Sequence, residues 1–447
     1  MPLQVTLLAS PSLSSSTARF FMHHFCTQTA PVLFPLAPQA FTQRLVSAAL
    51  HTPHLLHALL ASACSHHARL ITAGAGPNAS SHPSSGSRTA VPEAALKLTY
   101  LAVAGLRAAM ADPGRVARAE TAMTAMALCT NDVCDGIDAG AGGDGSRNRR
   151  WWRVHLSGVR ELLNALILRE KEEARGKRGS SATVVDDSFA GFLARWFATM
   201  DTVARVSGFE GAEDPEDSGC WALMEEMGAG ERHYGMVDEF CGYRLELMPI
   251  MVRIGRLARS TQRKEMVPSF YVDGDVGEQG EAANHCLSQE ARQIEADILS
   301  LAHSSNQENG SGHENGSHGE QKARELRSTN MAFFHASLLH LHRRVMCLPK
   351  DHAKVREDIS NILSAVNDIP RSSTANILAL WPIFSAGCET DEIREREIIN
   401  SRMLNMQILG MGNYTRARQV LLDYWSSSSP LPWDIYLQKF GLDLVLF

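Results

Sequence analysis

With 447 residues, 44% of them hydrophobic, the chain can bury one large core or two medium ones, and nothing in its composition suggests a disordered or fibrous protein. Its 43 Lys and Arg against 49 Asp and Glu leave a formal charge of -6, so the surface as a whole offers no attraction to a phosphate backbone. The nine cysteines are scattered among apolar stretches without framework spacing, as expected of reduced, buried thiols in an intracellular protein.

The first 16 residues read as an N-terminal tail. Residues 3–9 are apolar, but no cationic region precedes them, and no run in the chain approaches the roughly 18 apolar residues of a membrane helix. Beyond the tail, helical spacing dominates. Apolar stripes run through 94–110 (Leu98, Leu101, Leu106, Met110) and 152–168 (Trp152, Leu156, Val159, Leu163, Ile167). They recur in 192–206 (Phe192, Trp196, Met200, Val203) and in 245–258 (Leu247, Ile250, Met251, Ile254, Leu257). The clearest is 331–348, with Phe334, Leu338, Leu341, Val345 and Leu348 at alternating steps of four and three. After a break at Pro349-Lys350-Asp351, which offers Asp351 as an N-cap, the pattern repeats through Val355, Ile359, Ile362, Val366 and Ile369. These two segments predict a pair of antiparallel helices.

Strand-like alternation is confined to short pieces such as Thr183-Val184-Val185, too brief for a sheet. The fold class is therefore all-α, with ten or more helices. Gly-, Ser- and Asn-rich stretches at about 72–92, 135–148 and 303–320 read as loops inserted into one helical domain over 17–447, with 275–325 as the place where two lobes would meet. Four Asn-x-Ser/Thr triplets, at Asn78, Asn309, Asn315 and Asn413, carry no meaning without secretion.

Chemistry-bearing patterns are sparse. A DNA-gripping zinc cluster starts from Cys-x2-Cys pairs, and the closest pair here, Cys129 and Cys134, has four residues between its members and reads as buried structure. His51, His54 and His57 fall at steps of three, and His66-His67 and His335, His340 and His342 cluster elsewhere. No carboxylate joins the first group at ligand spacing, and there is no H-E-x-x-H, so no metal site is assigned. Arg147, Arg149, Arg150 and Arg153, interleaved with Trp151 and Trp152, fit a solvated helix entrance better than a nucleic-acid groove. The basic stretches at 147–153 and 171–178 are weak candidates for a nuclear import signal. No nucleophile elbow, phosphate loop or paired acid is found, so no catalytic residue is assigned. The acidic run Glu389-Thr390-Asp391-Glu392 reads as the solvated first turn of a helix, with Glu389 a buried acid if it faces the core.

One block is more specific. LALWPIFSAGCETDEIRERE at 378–397 resembles the tryptophan-proline block of the fungal-specific transcription factor domain, the regulatory region of fungal zinc-cluster regulators, a group that includes the sterol uptake regulators. Trp381, Pro382, Ala386, Gly387 and Glu389 match that pattern, Arg396 follows on the next helix, and a tail with Trp425 and Trp433 comes after. Upstream, WWRVHLSGVRELL at 151–163 is similar to the family's segment at Trp152, His155, Leu156 and Gly158. The pieces at 55–70 and 121–136 before it and those at 196–208 and 238–258 after it agree with the family in order, so the resemblance spans the chain from about residue 17.

The resemblance implies an all-helical nuclear regulator of metabolic or secondary-metabolite genes, with no enzymatic activity. Partners implied are other transcription regulators, a DNA-binding partner, a second copy in a homodimer, or an apolar small-molecule effector; direct DNA binding by this chain is not expected. Zinc is expected only with a cysteine cluster outside the present sequence. The aromatic residues Trp381, Phe384, Trp425, Trp433 and Phe440 are the candidates for an apolar effector pocket, with core packing as their alternative role. A non-DNA-binding interaction scaffold is the rival reading, and a helical secondary-metabolism enzyme a more distant one.

Overall fold

The computed structural model describes residues 11–74, 85–135, 151–176, 189–207, 235–266, 277–308, 317–442 and 444–447. Among the described residues every regular element is a helix, and β pairing is limited to an isolated bridge between Val237 and Arg244. The fold is all-α. The longer helices are α1 (Ser16–His24), α2 (Gln39–His51), α3 (Pro53–Gly74), α4 (Ser85–Met110), α5 (Ala119–Asp135), α6 (Trp151–Gly176) and α7 (Phe189–Val206). They continue as α8 (Leu247–Met266), α9 (Gly277–Glu308), α10 (Ser317–His340), α11 (Ala353–Asn367), α12 (Leu380–Glu389), α13 (Ile393–Ile408), α14 (Gly412–Ser427) and α15 (Trp433–Lys439). Among the described residues no helix is long and apolar enough to cross a membrane. The triplets at Asn78, Asn309 and Asn315, Arg147, Arg149 and Arg150, Thr183-Val184-Val185 and Cys220 lie outside the described residues, and Asn413 is buried.

The chain divides into two compact units. Unit 1 takes the described residues of Met1–Ala198 and Leu404–Arg416; unit 2 takes those of Thr199–Asp214, His233–Met403 and Ala417–Phe447. The division falls at Ala198–Thr199, and the described part of 275–325 belongs to unit 2. A loop-rich composition reports solvent exposure, whereas a unit boundary is set by where packing thins, so the two need not coincide. Helix also extends into the expected loops, through 85–92 at the start of α4 and through 303–308 and 317–320 at the ends of α9 and α10.

In unit 1, α3 packs against α4 and α5, and α5 against α6. The stripe expected to face inward on α4 does not do so: Leu101 and Met110 are exposed, and Leu98 and Leu106 are half-buried. The buried seam is Ala95, Ala102 and Ala109, with Gly105 beside it at a point where a Cβ would come within 2.7 Å of His54 Cβ. Small residues let α4 approach α3 closely, and close backbone approach replaces large apolar side chains at this contact. The stripe on α6 is buried as expected, and Phe34, Phe41 and Trp196 meet edge to face with centroids 4.7–6.3 Å apart.

In unit 2, α10 packs against α11 and α12, and α11 against α12. The α11 stripe from Val355 to Ile369 is buried throughout. The N-cap is His352 rather than Asp351: its Nδ1 accepts from Lys354 N at 3.2 Å. The long helix expected over 331–348 ends at His340. A π-helical turn at Leu341–Val345 follows, and Cys347 has φ +54°. Widening the ring from i→i+4 to i→i+5 changes the register, so Val345 and Leu348 leave the buried stripe and are half-buried. Gly242 has φ +79° and sits where a Cβ would meet Leu378 at 2.8 Å, while its carbonyl accepts from Thr329 Oγ1 at 2.6 Å.

His340 is buried near Trp381 and Trp433, with Asp434, Arg344 and Arg259 as its charged neighbours. Burial holds its pKa down at about 4. Between the unfolded value of 6.5 and about 4, the unfolded chain binds a proton that the folded chain refuses, so stability falls as pH falls through that window. Urea unfolding at about pH 7 and about pH 4.5 should show the wild type losing about 2–3 kcal/mol more than His340→Gln between the two conditions. Equal losses would mean that the imidazole is not held neutral.

Candidate functional site

The ten residues of α12, LWPIFSAGCE, are all buried. A helix apolar on every side has no solvent face, so it becomes the centre around which others pack. Its Pro382 lies in the first turn, where a missing N–H costs no hydrogen bond, and the 3-10 turn Thr374–Ala379 leads into it. Trp381 and Phe384 are fully buried, and Phe384 and Trp433 meet edge to face at 5.5 Å. Gly387 allows α14 to come close, because a Cβ there would lie 2.8 Å from Leu421 Cδ2 and 3.3 Å from Ile399 Cγ2. Its carbonyl accepts from Trp425 Nε1 at 2.8 Å.

Glu389 does not open a solvated helix turn. It closes α12, is 2% exposed, and accepts from Arg343 Nε at 2.6 Å. Arg343 comes from the π-helical turn after α10 and also donates to Leu348 O. The next residue, Arg344, donates from Nε to Asp434 Oδ2 at 2.9 Å, with both side chains buried. The π-helical turn therefore supplies two successive arginines to carboxylates on α12 and α15.

Residues 390–392 turn the chain out of α12 and into α13. Arg396, on the first turn of α13, donates from Nε to Thr390 O at 3.0 Å and from Nη2 to Asp391 Oδ1 at 2.7 Å. Its guanidinium lies over the Trp425 ring, 5.3 Å from the centroid. Lys350 Nζ donates to the same Asp391 oxygen at 3.3 Å. These groups surround a cleft of about 500 Å³ in unit 2, walled by Arg343, Lys350, Asp391, Arg396, Tyr424 and Trp425 and rimmed by the 428–430 turn. That volume suits a small molecule. Ser428 on the rim has φ +47°, and Tyr424 donates its hydroxyl to Leu431 O at 2.8 Å, tying the rim to α14.

Of the five aromatic residues expected to form an apolar pocket, only Trp425 lines this cleft. Trp381, Phe384 and Trp433 lie in the core, and Phe440 is 55% exposed. The cleft is mainly polar and cationic. Its Lys350 and Asp391 carried no signal in the sequence as a pair: they sit on separate connections between helices, 41 residues apart, and meet through the Lys350 Nζ–Asp391 Oδ1 contact.

The upstream motif residues lie in unit 1 and join α5 to α6. Trp152 is buried and accepts Cys129 Sγ–H through its carbonyl at 3.3 Å, and His155 Nδ1 is 2.7 Å from Asp132 Oδ2. Gly158 is exposed, with nothing within 4 Å of where a Cβ would stand. Cys129 and Cys134 are buried, and burial pushes both thiols up, Cys134 to about 12. His54 Nδ1 is paired with Thr124 Oγ1 at 2.8 Å, and His66 bridges Thr29 and Leu409. Among the described residues no group of three His, Cys, Asp or Glu side chains is placed to hold a metal ion.

A large all-helical domain, centred in unit 2 on a buried tryptophan-proline helix, is the class that fold and site define. The chain belongs to the fungal specific transcription factor domain family, whose model matches residues 19–447. It is therefore read as a transcription regulator. No curated protein and no solved structure matches it.

The two motif glycines should respond oppositely to alanine. Gly387→Ala is expected to destabilise by about 1–3 kcal/mol through overpacking against Leu421. Gly158→Ala, on an open helix face, is expected to stabilise by several tenths to about 1 kcal/mol. Denaturant unfolding of the two variants measures both, and a destabilised Gly158→Ala would place an unseen contact at that face.

Proposed function

We propose that this chain is the regulatory, effector-sensing region of a nuclear transcription regulator acting on metabolic or secondary-metabolite genes. The observation that carries the reading is the convergence of family-motif residues on one cleft: Glu389 backs Arg343, Gly387 seats Trp425, and Arg396 lies on Trp425 and forms the wall. Packing requirements alone would explain a buried α12. They do not call for a solvent-open cavity at its end with three cations around it.

The net charge of -6 favours a route to DNA through a partner or an attached DNA-binding module over direct contact with the duplex. The effector in this reading is polar, in place of the apolar one that the aromatic residues alone suggested, because the cleft wall is built mainly from charged groups.

Fusing the full chain to an unrelated DNA-binding domain in a fungal reporter strain tests the regulatory role. The fusion should change reporter output by about tenfold or more relative to the DNA-binding domain alone, and the protein should accumulate in the nucleus. Output equal to that of the DNA-binding domain alone would contradict the role.

A further inference from the structure

The charges of the cleft are unequally matched. Arg343 is answered from behind by Glu389, but Lys350 and Arg396 share the single carboxylate of Asp391, which leaves one positive charge over at the mouth. Arg396 is held in place on three sides, by Thr390 O, by Asp391 and by the Trp425 ring, so its guanidinium is presented in a fixed orientation. Asp391 is the most exposed member: its side chain is 66% exposed, against 31% for Lys350 and 28% for Arg396. The start of α13 lies beside it, where unpaired backbone N–H groups favour negative charge.

We infer that the cleft is a binding site for a small organic acid, whose carboxylate takes the place of Asp391 between Lys350 Nζ and the Arg396 guanidinium. Asp391 acts as the internal stand-in for that ligand and already shows that the gap between the two cations accepts a carboxylate. The body of the acid lies against Trp425 and Tyr424, within the roughly 500 Å³ available. Binding displaces the Asp391 side chain from the two cations and removes one of the contacts that tie the 390–392 turn, which joins the buried α12 to α13. A ligand in the cleft thereby acts on the segment that carries the family motif. This assignment rests on the effector-sensing reading and names the chemical class of the effector.

The test is calorimetric titration of the full-length protein with benzoate, citrate, inorganic phosphate and benzamide, for wild type, Asp391→Asn and Lys350→Gln. Both substituted residues sit on partly exposed connections, and melting temperatures verify that each variant folds. At least one of the two carboxylates should bind the wild type with a Kd on the order of millimolar. Removing the internal competitor in Asp391→Asn should tighten that binding about tenfold, and Lys350→Gln should weaken it about tenfold. Benzamide should not bind, and phosphate should bind more weakly than the better carboxylate.

Absence of binding of both acids to Asp391→Asn at about 10 mM would overturn the assignment, as would unchanged affinity in Lys350→Gln. Phosphate binding as tight as that of the better acid would also overturn it, by making the site a general anion site. The titration does not read transcription. Failure here with a working reporter fusion removes the organic-acid site alone, and binding with a silent fusion removes the regulatory reading alone.

Discussion

Glu389 is a carboxylate placed at the end of a helix that has no contact with water, and it needs a cation inside the protein. Arg343 meets that need at 2.6 Å. A buried carboxylate without a partner costs several kcal/mol, so the helix that carries Glu389 and the turn that carries Arg343 are locked to each other. The π-helical turn at Leu341–Val345 belongs to the same constraint. It ends α10 so that Arg343 and Arg344, adjacent in sequence, reach Glu389 on α12 and Asp434 on α15.

The cleft grows from the edge of this arrangement. Once α12 is fixed, Gly387 lets α14 approach, Trp425 Nε1 finds the Gly387 carbonyl, and the ring is left facing the turn that leads into α13. Arg396 then lies on the ring. What reaches solvent is the far side of a buried motif.

Much of this was legible from residue order. Stripes built of large apolar residues were placed correctly where packing is governed by side-chain volume, as on α6, α8 and α11. The α4 stripe failed because its contact with α3 is made by Ala95, Ala102, Ala109 and Gly105, and alanine carries little weight in a hydrophobic pattern. The end of α10 failed because a π-helical turn alters the register without altering composition. The tryptophan-proline block lies beside the cleft, but of the five aromatic candidates only Trp425 lines it. Trp381 and Phe384 fill the core, whereas the cleft is walled in part by Lys350 and Asp391, which two separate connections between helices bring together.

A double-mutant cycle across Glu389 and Arg343, read by denaturant unfolding, tests the central constraint most directly. Arg343→Ala should cost about 3 kcal/mol or more by stranding the buried Glu389 carboxylate, and adding Glu389→Ala should recover part of that loss, with a coupling of about 2 kcal/mol. Additive effects, or a cost for Arg343→Ala below about 1 kcal/mol, would mean that α12 is not held at its end by this pair.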